Sequence, residues 1–333
     1  MHNLIDPAIL FFVLGVFAGL VRSNLEIPAP IARFLSLYLL MALGLKGGFA
    51  LAQSGLTAQV ATGLGLAVLL ALAIPAIGYA VLVRIVPRFD AAALAATYGS
   101  VSAVTFITAI GHLERSGTPY GGHMAAAMAL MESPAIILAV LAANALRRRE
   151  AAVPPPHSGP AAAVALPAGG LSPGKVLHES FTDGAQLLLL GAMVVGMVSG
   201  DAGHRAMQPF SGDLFKGMLA FFLLDMGLMT ARNLPGLRRH SPWLIGYGLL
   251  APPAHALLAL ALGASAGLPV GDLTLLMVLA ASASYIAVPA VVRYAIPEAN
   301  PSLYFGLSLG LTFPFNILVG IPVYAGLAAR FGS

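Results

Sequence analysis

The chain has 333 residues, 59% hydrophobic and only 9% charged, with a mean hydropathy of +0.89. A water-soluble domain carries roughly 25% charged residues, so this chain lacks the polar surface of one. The net charge of +4 comes from Lys and Arg at the ends of apolar runs, which argues against a nucleic-acid role, and the absence of cysteine excludes disulfide scaffolds and thiolate metal sites.

Apolar stretches of 17–25 residues recur along the chain, each long enough to cross a hydrocarbon core of roughly 30 Å. In lipid the backbone must satisfy itself, so these stretches predict helices; the alternating segments of a membrane barrel are absent. The first five helices are expected at about 7–22, 31–51, 57–85, 91–112 and 121–146. No basic region or small-residue cleavage pattern accompanies Pro7 to Val21, so a retained helix is expected there rather than a signal peptide. Lys46, beyond the second helix's Met41-Ala-Leu-Gly-Leu45, is expected to snorkel outward. Arg147-Arg-Arg-Glu150 then opens a Pro/Ala/Gly-rich run to about Gly174, which predicts a flexible linker. Five further helices are expected at about 182–200, 213–231, 241–264, 271–294 and 302–329. The organisation is therefore a first five-helix unit over 1–146, a linker over 147–181 and a second unit over 182–333.

Basic residues fix the expected orientation. Arg22, Arg33, Arg84, Arg88, Arg147, Arg148, Arg149, Lys175, Arg232, Arg238, Arg239 and Arg293 fall on one side; Lys46, Arg115, Arg205, Lys216 and Arg330 fall on the other. The richer side carries the linker, which places it in the cytoplasm, with both termini external and the chain in the cell membrane.

The two units repeat. Met41-Ala-Leu-Gly-Leu45 resembles Leu224-Asp-Met-Gly-Leu228, Pro75 has a counterpart in Pro252 or Pro253, and Asp90 and Asp272 open equivalent helices. Gly99-Ser-Val-Ser102 lies on Ala281-Ser-Ala-Ser284 at an offset of 182, and Glu132-Ser-Pro134 lies on Thr312-Phe-Pro314 at an offset of 180. Because five is odd, the second copy must cross the membrane in the opposite sense. Inverted repeats of this kind place a transporter's substrate site at midplane, where broken helices meet.

The fourth helix carries Thr97-Tyr-Gly-Ser-Val-Ser-Ala-Val-Thr105 and the ninth Ala281-Ser-Ala-Ser-Tyr-Ile-Ala-Val-Pro289. Gly99 weakens one helix and Pro289 interrupts the ladder of the other. A break would turn backbone N–H groups and the positive end of the helix dipole toward an anion. Small residues also serve close helix packing, but a symmetry-related pair beside helix breakers favours a site. The candidate anion ligands are Gly99, Ser100, Ser102, Thr105, Ser282 and Ser284. Glu132, Thr312 and Asn316 flank the equivalent prolines and offer hard oxygens for a small cation. Asp225, the other charge inside a span, has Lys46 or a nearby hydroxyl as an available partner, and His255 reads as a satisfied core histidine.

On these stretches, Asp90 to Thr105, Leu130 to Asn144 and Ala280 to Asn316, with Arg293-Tyr-Ala-Ile-Pro-Glu-Ala-Asn-Pro-Ser302 the most specific, the chain resembles the sodium-dependent bicarbonate transporter family first known from cyanobacteria. The resemblance implies gate and core domains, an elevator-like movement, a homotrimer and a cytoplasmic partner of the PII-like class. It also implies sodium as coupling ion, with no other cofactor, and bicarbonate bound between the broken helices. Tyr285, which joins Glu132, Thr312 and Asn316 as a candidate cation ligand, stands where the cyanobacterial pattern has an aspartate near its cation site; Ala287 replaces a serine, Ala103 and Val104 replace glycine and serine, and Glu132 replaces an aspartate. The expected function is sodium-coupled uptake of bicarbonate or a similar small anion. A channel or sensor on the same fold is the alternative. An intramembrane enzyme is disfavoured, because His112-Leu-Glu114 is not joined by any His-Glu-x-x-His or Gly-x-Ser-x-Gly motif.

Overall fold

The computed structural model describes residues 6–55, 57–151, 184–237, 241–285 and 287–333, and within them every regular element is helical. α1 (Pro7–Leu20) begins where the Asp6 carboxylate accepts the N–H of Ala8 at 2.7 Å and Pro7 occupies a first-turn position that needs no N–H. α2 (Ala29–Ser54) and α3 (Ala58–Leu82) follow, then α4 (Arg88–Gly99), α5 (Ala103–Ser116) and α6 (His123–Ala151). From residue 184 onward the elements are α7 (Gly184–Gln208), α8 (Leu214–Leu237), α9 (Pro242–Ser265), α10 (Val270–Ala281), α11 (Ala287–Ala295) and the composite α12 (Pro301–Phe331).

Among the described residues, seven stretches are long and apolar enough to cross a membrane, as a multi-pass membrane protein requires. One of them, Leu187–Pro235, has 49 residues. At 1.5 Å per residue it would reach about 74 Å, more than twice a hydrocarbon core. It divides at Gly200, whose φ of 52° and ψ of −142° turn the chain.

Several boundaries differ from expectation. The stretch from Asp201 to Asp213 is helical, ending in a π-helical turn over Pro209–Asp213, because its residues tolerate a helix until Pro209. α6 continues through Arg147 to Ala151 rather than stopping at 146, and the expected linker beyond it, at 152–181, lies outside the described residues. α12 absorbs Pro314 and Pro322 without ending, by π-helical turns at Ser308–Thr312 and Asn316–Gly320 that relieve the lost ladder bonds.

Two helix pairs pack at backbone contact. α1 lies on α8, where a Cβ on Gly227 would fall 2.8 Å from the Val16 nitrogen and 2.9 Å from Gly15 Cα. α2 lies on α7, where a Cβ on Gly48 would fall 2.9 Å from Gly196 Cα. Without lipid-excluded hydrophobic force, such small-residue contacts are what hold membrane helices together. The pairing is reciprocal, since the first helix of residues 6–151 lies on the second helix after residue 184, and the second lies on the first. The opening aspartates behave alike: Asp90 on α4 accepts the N–H of Asn300 at the start of α12 (2.7 Å), and Asp272 on α10 accepts that of Gly121 at the start of α6 (2.5 Å).

Among the described residues, Lys and Arg ion pairs and one His–Asp contact tie elements together. Lys46 does not reach for Asp225 but pairs with Glu114 of α5 at 2.7 Å, its ammonium 4.1 Å from the Phe215 ring centroid. Arg115 pairs with Asp6, and His123 lies 3.7 Å from Asp272. Arg147 grips Glu298 with two bonds of 2.7 Å. In that surface loop the guanidinium holds the Glu298 carboxyl below its usual range. A depressed folded value stabilises the protein above the unfolded carboxylate pKa and fades as pH falls through the folded one. The melting temperatures of the wild type and Glu298→Gln should therefore differ slightly at pH 7 and converge below about pH 4.

Candidate functional site

The two serine clusters both break their helices. α4 stops at Gly99, Ser100 is extended (φ −97°, ψ 178°), and α5 restarts with Ser102 as its N-cap. α10 stops at Ala281, Ser282 is extended (φ −77°, ψ 161°), and α11 starts at Ala287. Gly99 is required by proximity, because a Cβ there would sit 2.8 Å from Cγ and Cδ of Pro75 on α3. Pro289 does not make the second break as expected. It lies in the first turn of α11, where a missing N–H costs nothing.

The breaks cross. The N–H of Ser102 donates to Ser282 Oγ at 3.0 Å, and the N–H of Ser284 donates to the Thr97 carbonyl at 2.8 Å. Within each break a serine caps the following half-helix, with Thr105 N–H donating to Ser102 Oγ at 3.2 Å and Val288 N–H to Ser284 Oγ at 3.3 Å. The Thr105 hydroxyl also donates to Ser102 Oγ (3.0 Å), and the Ser100 hydroxyl to the Glu132 backbone carbonyl (3.2 Å). All six candidate anion ligands therefore lie in the crossing or in its caps, and all are buried.

The residues assigned to a cation spread around this crossing. Asn316 donates its amide N–H to the Ala281 carbonyl (2.8 Å) and accepts from the Tyr324 hydroxyl (3.2 Å), so it braces the open end of α10. Thr312 donates to the Gly248 carbonyl and shares a 2.7 Å bond with the Tyr98 hydroxyl. Tyr285 packs edge-on against Phe313, and its hydroxyl reaches Met226 of α8 at 3.6 Å and also meets the Ser102 side chain. Glu132 lies half-buried on α6, its carbonyl already used by Ser100.

Two bracing residues were not legible as such in the sequence. Tyr98 ties α4 to α12 through Thr312, an interaction between the units that no spacing reveals. His255 is only half satisfied rather than fully so: it bonds to the backbone of Ala280 in the last turn of α10, while its Nδ1 has no described partner.

Chemically, the crossing is a buried set of hydroxyls and half-helix N-termini with no Lys or Arg among its ligands. Such a set hydrogen-bonds a small oxyanion from several directions without neutralising its charge. Among the described residues no cluster of three or more His, Cys, Asp or Glu side chains gathers as a transition-metal site. A polar cavity of about 620 Å³ lies beside the far end of α5, lined by Lys46, Gln53, Glu114, His204, Asp213 and Lys216.

A family model described as the Na+-dependent bicarbonate transporter superfamily matches residues 7–329, nearly the whole chain. The chain belongs to this superfamily. No individual curated protein matches it. Membership of the Na+-dependent bicarbonate transporter superfamily makes it a multi-pass membrane protein of a transporter lineage, as the resemblance in the breaks and in Arg293–Ser302 implied. The superfamily's description points to sodium and bicarbonate, and the residues of the crossing suit a small oxyanion on chemical grounds of their own.

Proposed function

We propose that the protein is a secondary active transporter that carries bicarbonate, or a similar small oxyanion, inward with sodium. The observation that carries this reading is the crossing itself. Two half-helix N-termini and five hydroxyl side chains converge with no basic side chain among them. Moving one negative charge inward against about 100 mV costs about 2.3 kcal/mol. One co-transported sodium cancels that electrical cost, and a tenfold sodium gradient adds about 1.4 kcal/mol. An anion site without its own positive charge binds weakly until a cation arrives, so coupling follows from shared electrostatics.

In this reading the chain is two inverted five-helix repeats crossing the membrane ten times. The reciprocal pairing of α1 with α8 and α2 with α7, and the matched aspartate bonds of Asp90 and Asp272, support that symmetry. The topology also gains support from the ion pairs. Lys46 with Glu114 and Arg115 with Asp6 join residues expected outside, while Arg147 with Glu298 joins residues expected on the cytoplasmic side. The glycine-packed panel of α1, α2, α7 and α8 serves as the gate, and the elements carrying the breaks serve as the core that slides past it. The homotrimer and the PII-like regulatory partner rest on the resemblance alone.

Purified protein in liposomes should accumulate labelled bicarbonate at least tenfold faster under an inward sodium gradient than under potassium. Equal uptake in both would refute sodium coupling. Counterflow separates carrier from channel, because only a carrier concentrates label against an unlabelled internal load.

A further inference from the structure

The last turn of α5 places two opposite charges side by side, Glu114 and Arg115, and each grips a different helix. Glu114 Oε1 accepts the Lys46 ammonium of α2 at 2.7 Å and the Tyr120 hydroxyl at 3.2 Å. Arg115 pairs with Asp6, the residue that caps α1. The Asp6 side chain is only 6% exposed. Separating it from Arg115 leaves a charge stranded out of water, which costs more than parting a surface pair. α1 and α2 belong to the glycine-packed panel, whereas α5 is the restarted half of the first broken helix.

Both pairs therefore bridge the seam between the panel and the helices that carry the breaks. The other charged contacts between described residues stay on one side of it. Arg147 with Glu298 joins α6 to the segment before α12, and His123 with Asp272 joins α6 to α10. The fold repeats, but the bridging charges do not. By the offset of 182 that joins the two breaks, Glu114 and Arg115 correspond to Ile296 and Pro297, just past the end of α11, and neither carries a charge. Charge thus pins the seam at the end of the bundle that holds Lys46 and Asp6, and the equivalent turn of the second copy has no such device.

We propose that Glu114 and Arg115 latch the carrier in the conformation of this structure, holding the break-bearing helices against the panel until a transport stroke parts them. This rests on the transporter reading, in which those two groups of helices slide past each other. Because the halves are inverted copies, the opposite conformation brings the second copy's contacts into the place of the first's. There the corresponding residues are uncharged, so the ion pairs favour this conformation over its counterpart. The polar cavity of about 620 Å³ lined by Lys46 and Glu114 brings water and salt to that pair. The latch is therefore weak enough to open in each cycle and sensitive to ionic strength.

The chain has no cysteine, so introduced ones report alone. A Cβ on Gly47 of α2 would lie 3.2 Å from Ala125 Cβ of α6, the helix whose Glu132 carbonyl holds the first break through Ser100, and this is close to disulfide spacing. Gly47→Cys with Ala125→Cys should therefore cross-link under mild oxidation in liposomes. Adding Glu114→Gln and Arg115→Gln should slow that reaction at least threefold. In the reporter, Glu114→Lys alone should slow it too, and adding Lys46→Glu should restore most of the rate, which a folding defect would not permit. Salt at about 1 M, where the screening length falls to about 3 Å, should slow the reporter and leave the neutralised variant unmoved. Equal rates with and without the neutralising changes overturn the latch, as does a charge exchange that restores nothing or a reporter indifferent to salt. A reporter that never cross-links removes the contact between α2 and α6, and the latch with it. If the wild type shows no bicarbonate counterflow, the transporter reading fails, and the cross-linking still decides whether the two pairs hold α5 to α1 and α2.

Discussion

Replacing Ser102 with alanine is expected to cut sodium-driven bicarbonate uptake by about ten- to a hundredfold, and replacing Ser284 with alanine by a similar factor. A hydrogen bond to a charged group contributes about 1.5–3 kcal/mol, which sets that range. Each serine is also a helix cap, taking Thr105 N–H in one break and Val288 N–H in the other. Loss of a cap costs about 1 kcal/mol of stability, too little to unfold the protein. Uptake should therefore collapse while the thermal melt moves only slightly. Ser308→Ala serves as the control, because its buried hydroxyl bonds only to the Tyr304 carbonyl within α12, away from the crossing. That variant should transport within about twofold of wild type. Near-normal uptake in both cap variants would remove the crossing from the transport pathway.

The second large effect concerns Gly227, whose replacement by alanine should destabilise the protein by about 1–3 kcal/mol, the usual cost of overpacking. The added methyl would meet the Phe12 carbonyl, the Val16 nitrogen and Gly15 Cα, all of them backbone atoms that cannot rotate aside. Leucine at the same position should prevent α1 from docking and give aggregated protein on size exclusion in detergent. Gly326→Ala offers the contrast: a Cβ there meets nothing within 4 Å, and the residue lies inside α12. Its melting temperature should stay level or rise, since alanine favours a helix over glycine by about 1 kcal/mol. An unchanged melt for Gly227→Ala would mean that α1 and α8 are not in contact.

Much of this architecture is legible in one dimension, for a definite reason. Lipid forces apolar runs into helices, so the spans follow from hydropathy. The repeated Gly-Ser-Val-Ser and Ala-Ser-Ala-Ser clusters mark where the fourth and ninth helices fail, because small hydroxyl residues stabilise a helix weakly and cap its restart. The causes at single residues are less legible. Pro289 looks like the breaker but sits harmlessly in a first turn, and Gly99 is demanded by the ring of Pro75 on another helix rather than by its own backbone. Asp201 to Asp213 reads as a loop and is helical, since polar residues exposed at the surface carry no hydrophobic period to reveal them.

Local composition thus determined that the chain is a bundle of apolar helices, where two of them fail, and which residues line the failures. Tertiary structure alone decided that the two failures cross, that Lys46 turns to Glu114, and that Asn316 and His255 brace the end of α10. These contacts join residues from 25 to 187 positions apart. Partners so distant are chosen by how whole helices pack, and spacing along the chain carries no record of that choice.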